Sequence, residues 1–308
     1  MTTPLSLNHT YTTFTPDHGG MRLVDTHTHA WGQDTAELPW YSANLPPEWS
    51  GPYTHSELLT DMDEAGVDEA VLQPTTIYGR GERANEYTMR AIEAHPERLW
   101  GVAVLEYFQD EPDLRAAVRR VTGHERMLGV RFHAAFEYGE TPGEMDRGGD
   151  WIADEQLEPL YDELAARDAA VFVLAKPEQY ATLGELAAAY PDVPFVLEHM
   201  GWPDEGTTAD ETPWTGIEAL AKHDNVYVKV SSIPRTSGDA WPYEVAGEFV
   251  RQLLSWFGPE RLMLGSDYPW LDDWASYEEC LSWVEGSEYL SARDLSWLSY
   301  RTFEELRA

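Results

Sequence analysis

The chain has 308 residues, 43% of them apolar, and a formal net charge of −34; that is enough hydrophobic material for a sizeable core, and far too acidic to favour nucleic acid or anionic membranes as partners. No apolar run approaches the roughly 18 residues of a membrane span and no leader-like segment opens the chain, so a cytoplasmic protein is expected. The single cysteine, Cys280, excludes an internal disulfide and any multi-cysteine metal cluster.

After a polar arm (1–20), short β-branched runs alternate with longer helical patterns, the signature of parallel βα units. Strands are predicted at 21–27, 69–74, 99–106, 128–133, 170–175, 194–199, 226–231 and 261–266. The first helix, in "THSELLTDMDEAG", carries capping-box spacing at Thr54 and Glu57 and a glycine stop at Gly66. Helical patterns then follow in "RANEYTMRAIEAH", "DLRAAVRRVTG", "DEQLEPLYDELAARD", "EQYATLGELAAAY", "GIEALAKHD" and "YEVAGEFVRQLLSWFG". Beyond the last strand come "SYEECLSWVEG" and "SARDLSWLSYRTFEEL", the latter with Ser291 and Asp294 at capping spacing. Eight strand–helix units predict one α/β domain over 1–308, a (β/α)8 TIM barrel with an additional C-terminal helix. A nucleotide-binding open sheet is disfavoured, because the first turn reads "THTHAWG" and not GxGxxG. Two insertions, 30–53 and 134–151, follow strands one and four and are predicted to wall the active site.

In such a barrel chemistry gathers at the C-terminal ends of the strands. His27 and His29, in "VDTHTHAW", stand two positions apart and so project from one side of an extended segment, where both imidazoles can approach one ion. Asp267 follows the last strand in "RLMLGSDYPW". Closure makes the first and last strands neighbours, so His27, His29 and Asp267 are expected to converge as a metal site.

These motifs, with "GVRFH", "VPFVLEHMGWP", "NVYVKVSS" and "PERLMLGSDYPW", make the chain resemble the amidohydrolase superfamily, in the amidohydrolase-related branch that includes sugar-lactone and dicarboxylate lactone hydrolases and carboxylate decarboxylases. The resemblance spans nearly the whole chain after residue 21. It implies a divalent metal, zinc by its usual ligands, or the remnant of such a site, near His27 and His29, with Asp267 as ligand or proton acceptor. It also implies a histidine near the substrate at His199. One departure is plain: where many relatives carry a further ligand after strand five, this chain has Ala175 and Lys176.

Strand four offers Arg131 and His133 on one face. Arg131 is read as the grip on a substrate carboxylate, with a salt bridge to one of the many acids as the competing reading. His133 and His199 are read as groups that polarise a carbonyl or move a proton. Strand alternation turns Glu198 to the face opposite His199, as a structural residue, and Lys229, if inward, needs an internal ion pair. Trp31 and Trp270, adjoining His29 and Asp267, are the expected pocket aromatics; His9, His18, His55, His95, His124 and His223 are read as solvated.

The function expected is a hydrolase that directs water at the carbonyl of a small, polar, carboxylated substrate, a lactone being favoured. A decarboxylase or hydratase on the same site, and a ligand-binding relative without activity, stay open, as does a homo-oligomeric state. Only Lys176, Lys222 and Lys229 among 21 cationic residues are lysine. With acidic groups spread along the whole chain, this reads as adaptation to a halophile's salty cytoplasm, where the Debye length shrinks to about 3 Å at 1 M.

Overall fold

The computed structural model describes residues 21–40, 51–74, 76–78, 82–135, 150–203, 206–272 and 274–308; the arm with His9 and His18, Trp49 and most of the second insertion lie outside them. Eight parallel strands stand in chain order: β1 (Val24–Thr28), β2 (Glu69–Leu72), β3 (Leu99–Ala103), β4 (Met127–His133), β5 (Ala170–Leu174), β6 (Phe195–Leu197), β7 (Val226–Val230) and β8 (Leu262–Leu264). Helices α1 (His55–Ala65), α2 (Glu82–Ala94), α3 (Glu111–Val121), α4 (Glu158–Ala165) and α5 (Tyr180–Ala189) return the chain between successive strands. The β6–β7 return is a 3-10 helix, Trp214–Lys222, where an ordinary helix was expected. Next come α6 (Ile233–Ser237) and α7 (Glu244–Phe257) before β8, then α8 (Tyr277–Ser282). Both predicted capping boxes form, Thr54 with Glu57 and Ser291 with Asp294, and Gly66 takes φ 71° as the stop of α1.

Neighbouring strands from β1 to β8 are joined by ladders, but the seam between β8 and β1 is irregular. It closes through Asp267 N donating to His27 O at 2.7 Å and His29 N donating to Tyr268 O at 2.8 Å. The buried Asp25 carboxylate replaces missing ladder bonds. Its Oδ1 accepts from His27 N (3.0 Å) and Ser266 N (2.9 Å), and its Oδ2 from Ser266 Oγ (2.6 Å) and Tyr277 OH (3.0 Å). Gly265 makes the approach sterically feasible, since a Cβ there would sit 2.9 Å from the Cβ of His27.

Two apolar layers hold the barrel. The larger fills the space between strands and helices, with Leu58, Met62, Leu114, Leu160, Leu183 and Phe249 among its members. The smaller lies in the barrel interior, where Val24, Val71, Val102, Phe172, Val196 and Met263 stack above Trp100 and Phe303. Phe303 belongs to the extra C-terminal run, α9 (Ala292–Ser296), a π turn and α10 (Thr302–Leu306), and meets Trp100 edge-on at 5.5 Å. That run therefore stops the N-terminal end of the barrel and leaves the strand-end mouth for chemistry. Among the described residues no helix is long and apolar enough to cross a membrane.

The predicted strands overshoot where they matter. β6 ends at Leu197 and β8 at Leu264, and the chain then enters positive φ, at His199 (52°) and Asp267 (75°). Strand alternation consequently does not govern these residues, and Glu198 is not turned away from His199 as the pattern implied.

Candidate active site

Above the interior apolar layer the barrel holds a polar one. His27 is fully buried on β1 and His29 nearly so just beyond it. Their Nε2 atoms lie 3.3 Å apart, and Asp267 Oδ1 stands 3.3 Å from His29 Nε2 and 3.6 Å from His27 Nε2. Ligands at 2.0–2.1 Å from a tetrahedral zinc are separated by about 3.3 Å, so this triangle has the size of one face of such a site. His27, His199 and Asp267 also offer ligand atoms within 4.8 Å of one another, but more loosely. The residues present thus fit a divalent ion, with His27, His29 and Asp267 as the compact set. Ala175 belongs to the outer core, and Lys176 caps the turn Pro177–Gln179 through its backbone N–H, so β5 adds no imidazole to the set.

Each member is oriented from behind. His29 Nδ1 meets the carbonyl of Gln73 at 3.1 Å, which places the ring proton on Nδ1 and leaves the Nε2 lone pair facing the triangle. Ser232 Oγ donates to Asp267 Oδ2 at 2.9 Å, and His199 Nδ1, 3.0 Å from Ser231 Oγ, lies 3.9 Å from the same Oδ2. Of the seven non-glycine residues with positive φ among the described residues, His199, Met200, Trp202, Ser232 and Asp267 all stand at the ends of β6, β7 and β8. Backbone strain of this kind persists where surrounding structure enforces it, and it clusters at functional sites.

Behind His27 runs a buried ion network. Arg131 grips Glu198 with Nε at 3.0 Å from each carboxylate oxygen and Nη2 at 2.8 Å from Oε2. Lys229, wholly buried, lies 3.8 Å from Glu198 Oε1 and 4.6 Å above the ring of Phe172. Two expectations are corrected here. Arg131 is not an open fork for a substrate carboxylate, because Glu198 already holds it; and Glu198 points into the barrel, because β6 has ended before it. Lys229 does find the internal partner its burial demands.

The aromatic wall is divided. Trp31 is fully buried with Leu38, Ile77 and Tyr78, and stacks against Trp270 at 5.0 Å. Trp270 in turn meets His29 at 5.7 Å. Trp31 therefore stands fully buried behind the wall, a further correction to its reading as a pocket aromatic, whereas Trp270 borders the triangle at His29. His133 closes β4, half-buried and two residues nearer the mouth than Arg131. On the opposite flank Trp202 meets His199 at 5.4 Å and carries the Arg235 guanidinium 4.0 Å above its ring. Arg235 lines a cavity of about 620 Å³ with Thr236, Ser237, Asp239, Tyr243 and Trp274.

Sequence reasoning missed Ser231, Ser232, Gln73 and Arg235. The "SS" ending strand seven sat where barrel chemistry gathers and could have been collected by that rule; Gln73 meets His29 through its backbone carbonyl, which no side-chain pattern reveals.

Burial dominates the electrostatics. It holds His27 and His29 below the ordinary 6.5 and brings His199 down to about 4, so all three are neutral near pH 7, as ligands and hydrogen-bonding groups need to be. Burial pushes Asp267 up, but the imidazoles of His199 and His29 beside it and the hydrogen bond from Ser232 lower it on balance. Glu198 is likewise raised by burial and lowered on balance by Arg131 and Lys229. Burial brings Lys229 down to about 7. Histidines with depressed values refuse protons that the unfolded chain accepts below about pH 6.5. The stability they contribute is thus complete above that pH and is lost on acidification, at about 1.4 kcal/mol per pH unit per histidine. The midpoint of thermal unfolding of metal-stripped protein is expected to fall steadily from pH 6.5 to 4; a flat profile would mean the imidazoles protonate inside the fold.

Comparisons with known proteins agree with this architecture. An L-fucono-1,5-lactonase of Burkholderia ambifaria is 32% identical over 139 residues, which is 44% of this chain and 48% of that protein. A 4-sulfomuconolactone hydrolase of Rhizobium radiobacter is 26% identical over 245 residues, 80% of this chain and 75% of that one. The chain thus spans about half the length of the first of these relatives. Among solved structures, an amidohydrolase of Burkholderia multivorans with bound HEPES superposes with a TM-score of 0.74 at 21% identity, covering 93% of this chain and 99% of that one. A second crystal form of that protein, with bound zinc, gives 0.72. A family profile described as amidohydrolase matches residues 24–295, and with the barrel and its strand-end cluster in place, the chain belongs to the amidohydrolase family.

Proposed function

We propose that the protein is a lactone hydrolase acting on a small, polar, oxygen-rich substrate. The observation that carries this reading is the Asp267 carboxylate, which turns one oxygen to two neutral imidazoles and rests the other on Ser232 within reach of His199. A divalent ion held by His27, His29 and Asp267, zinc by ligand type and by the zinc-bound neighbour, would supply Lewis-acid polarisation and lower the pKa of adjacent water toward about 7. The protein's own groups do the rest. Asp267, ionised at neutral pH, accepts the proton of the attacking water. His199, neutral and positioned by Ser231, faces the oxygen that gathers charge as the ring carbonyl becomes tetrahedral. His133, at the mouth, is assigned to the departing ring oxygen. Trp270 and Trp202 border the centre and reduce its hydration. With Arg131 engaged by Glu198, an anionic substituent of the substrate is assigned to the cavity beside Arg235.

Support for the substrate class comes from the two relatives, both lactone-cleaving by name. The decarboxylase alternative rests on neighbours such as 5-carboxyvanillate decarboxylase of Sphingomonas paucimobilis, which shares the fold at a TM-score of 0.63 and 15% identity. Zinc-loaded protein, assayed at low and high salt, is expected to release protons from L-fucono-1,5-lactone or 4-sulfomuconolactone at rates well above the uncatalysed reaction. Carbon dioxide evolved from aromatic carboxylates, with every lactone left intact, would replace hydrolysis with decarboxylation.

A further inference from the structure

The rear of His27 differs from that of His29. His29 donates its Nδ1–H to a backbone carbonyl, whereas among the described residues His27 Nδ1 faces charged side chains: Lys229 Nζ at 3.4 Å and Glu198 Oε1 at 3.6 Å. An imidazole that presents its Nε2 lone pair to an ion carries its proton on Nδ1, and that proton needs an acceptor. Of the two groups behind His27, Lys229 Nζ is engaged as a donor to Gln73 and faces Glu198, so the carboxylate is the acceptor. Glu198 is also the only negative charge in the quartet it forms with Arg131, Lys229 and Gln73. Gln73, oriented so that both ends of its amide are matched, donates to Glu198 Oε1 at 3.3 Å and accepts from Lys229 Nζ at 2.9 Å, which draws the ammonium toward the amide. Arg131 meanwhile fixes the carboxylate plane from the far side.

We propose that Glu198 is the positioning residue of His27: it is the acceptor that Nδ1–H faces, fixes the ring's tautomer and aims Nε2 at the triangle, with Arg131 as its clamp. The inference rests on the metal reading above, and on nothing about the substrate. It assigns a specific task to a network that would otherwise serve only to balance buried charge.

The test is a zinc titration against a chromophoric chelator, made on the wild type, Glu198→Gln and the double variant Arg131→Met/Glu198→Met. The double variant removes one positive and one negative charge, so the net charge behind His27 is unchanged, and Lys229 keeps Gln73 as its remaining partner; cooperative unfolding of the metal-free form establishes that it folds. Positioning by Glu198 predicts zinc affinity about 10–100-fold weaker in the double variant, with its metal-free form still unfolding cooperatively. Glu198→Gln, if folded, is expected to weaken zinc as well; if it does not fold, the double variant decides. A merely structural role would lower the unfolding temperature but leave the zinc affinity of the folded protein unchanged. If the double variant binds zinc within threefold of the wild type, Lys229 or charge balance alone suffices and the proposal falls while the metal reading stands. A wild type that binds no zinc overturns both.

Discussion

Asp267→Asn is expected to lower kcat by about 10²–10⁴-fold, the usual contribution of a positioned proton acceptor. Asparagine tolerates the left-handed conformation at φ 75° better than most residues and can still accept from Ser232, so the fold is expected to survive. What it loses is the negative charge between the imidazoles and the capacity to take a proton. The neutral amide also weakens any ion held at the triangle, so KM and metal content are to be measured beside kcat. The rate should not return at high pH, because the amide has no ionisation to recover. An Asp267→Asn enzyme retaining a tenth or more of wild-type kcat would remove Asp267 from the chemistry.

His27→Ala has the second large expected effect. It deletes one corner of a triangle whose sides are 3.3–3.6 Å and removes the ring that separates the triangle from Lys229 and Glu198. Bound metal, counted per chain after dialysis, is expected to fall to near zero, and activity with it by more than about 100-fold. The buried cavity left behind lowers the unfolding temperature as well, so activity is to be compared at a temperature where both proteins are folded. Metal content equal to that of the wild type would refute His27 as a ligand.

The barrel was legible because its signal is repeated: eight apolar runs, each followed by a helical pattern, leave few other architectures. The triangle was legible for a topological reason, since closure brings the ends of β1 and β8 together wherever the 237 residues between His29 and Asp267 go. The errors fall where periodicity stops. Glu198 was assigned by strand alternation, yet β6 is only three residues long and the next residue but one has positive φ. Arg131 was offered to a substrate because the competing partner, Glu198, had already been sent to the wrong face. Trp31 was placed near the site correctly by its neighbours in sequence, but proximity along the chain does not distinguish a lining ring from the one stacked behind it. Gln73 meets His29 through its carbonyl, and backbone groups leave no trace in residue identity.

The irregular seam at Asp25 has a kinetic consequence. Two imidazoles are synthesised within the first thirty residues, and their carboxylate partner only at position 267, so the centre cannot exist until the final strand arrives and the Asp25 clasp shuts. Long-range closure of this sort is slow relative to local helix formation. Nascent or prematurely ended chains would carry half a site, unable to hold an ion in the triangle or to turn over substrate before the ring is complete.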